Sequence, residues 1–167
     1  MNWFKKRAIR KDAAARLYAE AVERSRDLVF YERLGVADTI DGRFDMLALQ
    51  VFLVMDRLNA LGPEGEKLSQ ALFDRMFRMI DLTLREMGIG DMGIPKHMKK
   101  MMKAFNGRAH AYHAALDAGD HDALLLAVTR NIYRSAGEAI PQGAQELSRY
   151  IASVRAMLDS IPLEGFM

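Results

Sequence analysis

The sequence predicts an all-α fold, a single-domain bundle of about six to seven helices. Three observations carry this. Apolar residues recur at helical spacing through most of the chain, no stretch alternates convincingly at period two, and Gly and Pro punctuate the periodic segments. The 167 residues suffice for one domain burying roughly two thirds of its unfolded surface. A composition 50% hydrophobic and 28% charged is that of a globular protein rather than a disordered one.

Taken in order, residues 1–11 form a basic N-terminal arm, MNWFKKRAIRK, ahead of a domain spanning 12–167. Trp3 and Phe4 stand beside Lys5, Lys6 and Arg7. Rings among cations suit a lipid interface, where the rings lie at headgroup depth and the cations meet anionic lipid. A frayed, solvated terminus is the equal alternative. Asp12 is placed to N-cap a first helix running to about Arg26, and Phe30 to Leu34 reads as a short helical turn stopped by Gly35. A loop from Gly35 to Phe44 leads into a central helix, Arg43 to Leu61, apolar around most of its circumference.

Gly62 and Pro63 stop that helix, and the next runs from about Gly65 to Met87. Along it Gln70, Asp74, Arg78, Asp81 and Arg85 fall on one narrow stripe, with Asp74/Arg78 and Asp81/Arg85 spaced as i,i+4 pairs. Gly88, Gly90 and Gly93 break it, and Pro95 opens a helix to about Asp117. This helix has two sides. Met98, Met101, Met102 and Phe105 share one face, while Lys96, Lys99, Lys100 and Lys103 repeat the same spacing on the other. A helix from Gly119 or Asp120 to Tyr133, a loop over Gly137 to Gly143, a last helix from Ala144 to Asp159 and an apolar tail that folds back complete the chain.

Several function classes are excluded or weakened. The absence of Cys removes disulfides and thiol chemistry and fits a reducing compartment. The apolar run from Met46 to Met55 is too short to cross a bilayer, and the N-terminus has no signal-peptide core. GIGDMG, Gly88 to Gly93, is a literal GxGxxG, but it follows a helix instead of a strand and so fails the test for a dinucleotide loop. His110 and His113 are i,i+3 with no carboxylate one turn away on their helix, so solvent-facing or hydrogen-bonded histidines outrank a zinc or haem site. No cofactor, no metal and no catalytic residue is expected, and a DNA partner is not.

The net charge of +2 conceals two acid-free basic blocks, one before Asp12 and one comprising Lys96, Lys99, Lys100, Lys103 and Arg108; the rest of the chain is net acidic. Such patches meet phosphates, anionic headgroups or an acidic partner. Methionines at helical spacing are most often core. Their alternative use is a groove that takes apolar helices of varied sequence.

FYERLGVADTIDGRFDMLAL (Phe30 to Leu49), QALFDRMFRMIDLTLREMGIGDMGIPKHMKKMMKAFNGR (Gln70 to Arg108) and RNIY (Arg130 to Tyr133) together resemble the ubiquinol–cytochrome c chaperone family. Members in mitochondria are assembly factors of the cytochrome bc1 complex. The resemblance covers most of the chain between Leu17 and Tyr150, with departures at Gln50, where a His is frequent, and Asn106, where a Tyr is frequent. It implies a non-enzymatic chaperone that holds newly made cytochrome b until haem and partner subunits are in place. It further implies a bacterial relative peripheral to the cytoplasmic face of the inner membrane, with a small partner protein and the ribosome as possible neighbours. The motif positions carried over as a client surface are Asp41, Arg43, Asp74, Arg78, Arg85, Asp91, Lys96, Met98, Lys99, Lys100, Met102 and Lys103. Trp3, Phe4, Lys5, Lys6 and Arg7 are expected to contact the membrane. A peripheral membrane or nucleic-acid (ribosome) binding module using both basic patches is the alternative.

Overall fold

The computed structural model describes residues 3–135 and 139–167. Met1 and Asn2 of the basic arm and Gly137 and Glu138 of the 137–143 loop lie outside the described residues. Among the described residues the chain forms six α-helices and no strand: α1 (Trp3–Ser25), α2 (Ile40–Ala60), α3 (Pro63–Glu86), α4 (Ile94–Asp117), α5 (His121–Asn131) and α6 (Gln142–Asp159). A π-helical turn at Val29–Arg33 and a 3-10 turn at Leu163–Phe166 supplement them. The expected all-α bundle is what forms.

The core is built around α2, which packs on α1, α3, α4 and α6. Met46, Leu49, Val51, Leu53 and Leu58 are essentially inaccessible, as the apolar circumference of this segment requires. Gln50 is buried as well and exchanges hydrogen bonds with the Tyr150 hydroxyl at 3.1 Å, which satisfies a polar group inside the core. The Gln50 departure is therefore an internal position facing α6.

Two boundaries differ from the sequence expectation. The first helix starts at Trp3, so Asp12 lies inside α1 instead of capping it. Lys, Arg and Ala between Phe4 and Asp12 are all good helix formers, and nothing among them ends a helix, so one capping side chain does not set the boundary. Burial changes where charge does: residues 3–8 are all exposed, and Ala13, Ala14, Leu17 and Ala21 are packed. The second difference is at α2, which begins at Ile40. Thr39 supplies the N-cap, its hydroxyl accepting from the Gly42 N–H at 3.1 Å. Gly42 is required for space, because a Cβ there would lie 1.9 Å from the Ala37 carbonyl oxygen.

The tail folds back as expected. Phe166 is buried, and its carbonyl accepts from Arg16 at 3.0 Å, while the Ile161 carbonyl accepts from Arg57 at 2.8 Å. The order of contacts along the helices fixes their direction. Arg108 meets Asp45 and His113 meets Asp56, so α2 and α4 descend together, with α3 antiparallel between the two turns. The start of α2, the end of α3 and the start of α4 thus share one end of the bundle. Arg10 pairs with Glu64, next to the α2–α3 turn, which puts the N-terminal turns of α1 at the opposite end.

Candidate functional site

The α3–α4 junction is held by a helix cap. The Gly88 N–H donates to the Arg85 carbonyl at 2.9 Å and the Ile89 N–H to the Leu84 carbonyl at 3.1 Å, a Schellman arrangement with Gly88 at φ +83°. This explains the glycines without a cofactor: the first reverses the chain, and Gly93 donates to Gly90 at 2.8 Å as the next helix opens. Arg85 bridges the junction, donating to Asp81 at 2.9 Å and to Asp91 at 2.5 Å. These exposed partners raise the Arg85 pKa, the Asp81 hydrogen bond first among them. Asp81/Arg85 is thus the expected pair. Asp74/Arg78 is not: Asp74 accepts from Gln70, one turn earlier, at 2.8 Å, and Arg78 makes no ion pair among the described residues. A neutral amide at the right spacing competes for the same carboxylate.

The two sides of α4 behave differently. Lys96, Lys99, Lys100 and Lys103 are exposed and, among the described residues, none has a carboxylate within ion-pair distance. Met98, Met101 and Met102 are half-buried against the core, and Phe105 is buried with Phe73 and Phe77 around it. The methionine face is therefore not an open groove. Apolar side chains that do reach solvent lie beside the junction: Met92 is 97% exposed, Met87 53% and Leu82 45%. Sequence periodicity gives no warning of this, because Met87 and Met92 fall outside the two helical repeats.

Asp41 and Arg43 lie at the same end, at the start of α2. Asp41 is exposed and 3.9 Å from Arg134; Arg43 donates to Asp38 at 2.6 Å and covers the Tyr31 ring. Asp74 and Arg78 sit apart from this end, in a cleft shared with α1. Trp3, Phe4, Lys5, Lys6 and Arg7 are exposed on the first turns of α1 at the far end of the bundle.

Beneath the α2 start lies a charged constellation that the sequence does not reveal. Asp45 is 2% exposed and accepts from Arg108 of α4 and, at 2.8 Å, from Arg134 beyond α5. Burial pushes its carboxyl up to about 6, against the pull of the two guanidinium groups. Arg134 adopts φ +52°, the one non-glycine in the left-handed region among the described residues, with its side chain pinned to Asp45. A second buried acid, Asp56, lies 2.5 Å from His113 Nδ1 and 3.3 Å from Arg155. His113 is therefore hydrogen-bonded through another helix, and His110 is exposed. Among the described residues no cluster of three or more His, Asp or Glu side chains is arranged to hold a metal ion, and no helix is long and apolar enough to cross a membrane.

A family model described as Ubiquinol-cytochrome C chaperone matches residues 32–167. The chain belongs to that family. Among family relatives, the mouse ubiquinol-cytochrome c reductase complex assembly factor 1 is 25% identical over 157 residues, 94% of this chain and 52% of that protein. The Xenopus laevis protein of the same name is 24% identical over 157 residues, 94% of this chain and 78% of that protein. The chain spans about half the length of the mouse relative. The crystal structure of the Cbp3 homolog from Brucella abortus is 40% identical, superposes with a TM-score of 0.84, and covers 96% of this chain and 88% of that one. The family and relative names describe a chaperone and assembly factors, a non-catalytic role. The α2 start and the α3–α4 junction, which form one end of the bundle, lie within the two longer strings quoted above, Phe30 to Leu49 and Gln70 to Arg108.

Proposed function

We propose that this chain is a non-enzymatic chaperone in assembly of the cytochrome bc1 complex, and that its client is newly made cytochrome b. The carrying observation is the α3–α4 junction, where Met87 and Met92 present apolar side chains to solvent beside four lysines that lack acidic partners among the described residues. An apolar segment with acidic flanks finds a matching surface there. Arg85 and Asp91 form its polar rim, with Asp41 and Arg43 on the neighbouring turn. Met98 and Met102 back the surface, and their unbranched side chains permit repacking under a client. The lysines also suit ribosomal RNA.

Trp3, Phe4, Lys5, Lys6 and Arg7 are read as a contact with the anionic inner face of the cytoplasmic membrane, at the end opposite the client surface. Supporting both roles in one molecule is this separation: a membrane-facing end leaves the junction turned away. The second reading, a peripheral membrane or nucleic-acid binding module without a client, draws its support from the same N-terminal turns. Pull-down of detergent-held cytochrome b separates the two. The client reading expects enrichment that Met87→Ser/Met92→Ser reduces about tenfold; no enrichment by the wild-type chain would sink it.

A further inference from the structure

A cleft of about 500 Å³ runs between α1 and α3, lined by Arg7, Arg10, Lys11, Lys67, Arg75 and Arg78. Two carboxylates, Asp12 and Asp74, share it, and Asp74 already accepts from Gln70. Arg10 and Lys67 both reach Glu64, at 3.3 and 2.6 Å. Among the described residues that leaves Arg7, Lys11, Arg75 and Arg78 without a carboxylate at ion-pair distance, and the Nε of Arg75 is buried with no hydrogen-bond partner there. A concavity where six cations outnumber two carboxylates is suited to a phosphate, which accepts forked hydrogen bonds from guanidinium groups. Neither half of this site is basic enough alone. The N-terminal cations and the α3 stripe form it only because α1 is helical from Trp3 and lies along α3.

We propose that this cleft binds the phosphate-bearing headgroup of an anionic phospholipid, while Trp3 and Phe4 enter the interface beside it. The inference rests on the membrane contact read above and supplies its receptor. Lipid is favoured over RNA by the state of the rings. Trp3 and Phe4 pack edge-to-face with centroids 4.9 Å apart, and the Arg7 guanidinium covers the indole at 5.5 Å. A covered indole face is poorly placed to stack on a base, whereas its apolar perimeter still partitions into acyl chains. The two rings are 61% and 70% exposed, which a surface without a partner rarely displays on adjacent residues.

Co-sedimentation of the full chain with phosphatidylcholine vesicles, with and without phosphatidylglycerol, tests this at low and high salt. Binding should require the anionic lipid and weaken with salt. Arg75→Gln/Arg78→Gln should reduce it about 30-fold, at roughly fivefold per cation near the surface, while Lys99→Gln/Lys100→Gln on α4 should leave it unchanged. Lys11→Gln/Lys67→Gln, at exposed positions, gives the same reading should the arginine pair impair folding. Vesicle binding that is lost in Trp3→Ala/Phe4→Ala but survives all cleft substitutions would overturn the cleft and leave the membrane contact standing. No binding by the wild-type chain would overturn both. Cleft substitutions that abolish binding of single-stranded RNA or inorganic phosphate, with vesicle binding intact, would overturn the lipid assignment.

Discussion

Two glycine-containing stretches within the strings quoted above, one at 35–45 and one at 84–101, do opposite things. In the first, Gly42 is pressed against the Ala37 carbonyl, Thr39 caps the helix and Asp45 is sealed under two arginines. In the second, Gly90 has open space around it, Asp91 and Met92 project into solvent, and the lysines that follow have no ion pair among the described residues. Both lie at one end of the bundle. The first string builds that end; the second furnishes its surface. Motif density alone thus does not separate a folding constraint from a binding one, whereas burial and local clearance do.

This contrast breaks most directly at the glycines. Gly42→Ala should lower the free energy of unfolding by about 3 kcal/mol, because backbone must move to admit the methyl group. Gly90→Ala, with nothing within 4 Å, should stay within about 0.5 kcal/mol. Urea denaturation of both measures the gap, and equal losses would erase the distinction.

The next largest effect is in pH dependence. Because the folded-state pKa of Asp45 is raised to about 6 from 3.8, the native state holds its proton more tightly than the unfolded chain. The stability this gives is complete below about pH 4 and is lost as pH rises through about 6. Relative to Asp45→Asn, the wild type should therefore lose about 2 kcal/mol between pH 4 and pH 6.5. Parallel pH profiles for the two proteins would contradict the burial argument.

Third, Met87→Ser/Met92→Ser should cost cytochrome b capture about tenfold, the order expected for losing two exposed apolar contacts, with melting unchanged. A matching loss of stability would place those methionines with the first string. Smallest is Arg85→Ala. Its pairs with Asp81 and Asp91 are solvent-exposed, so thermal unfolding should shift by no more than about 0.5 kcal/mol.

What the sequence disclosed follows from the range of the interactions involved. Ends of α2, α3 and α4 lie within about three residues of expectation because Gly62, Pro63, Gly88 and Pro95 act locally. The start of α1 was misplaced because Asp12 carries a capping signal that an uninterrupted run of helix formers outweighs. The Asp74/Arg78 pairing failed for an equally local reason, competition from Gln70. Asp45 is another matter. Its partners are 63 and 89 residues away, and only the descent of α2 beside α4 brings them together. An acid between Phe44 and Met46 on an apolar helix was the available hint. Likewise the split of α4 into methionine and lysine sides was visible from spacing, but which side faces water depended on α3.

The continuity of α1 has a mechanical consequence. Arg10 is tied to the first turn of α3, and Trp3 lies seven residues ahead of it on the same unbroken helix. At 1.5 Å per residue the aromatic pair stands about 10 Å beyond that turn. A helix of this kind is a strut: whatever the rings rest on is held at a set stand-off from the body, and the opposite end, with Met87 and Met92, is aimed away from that support.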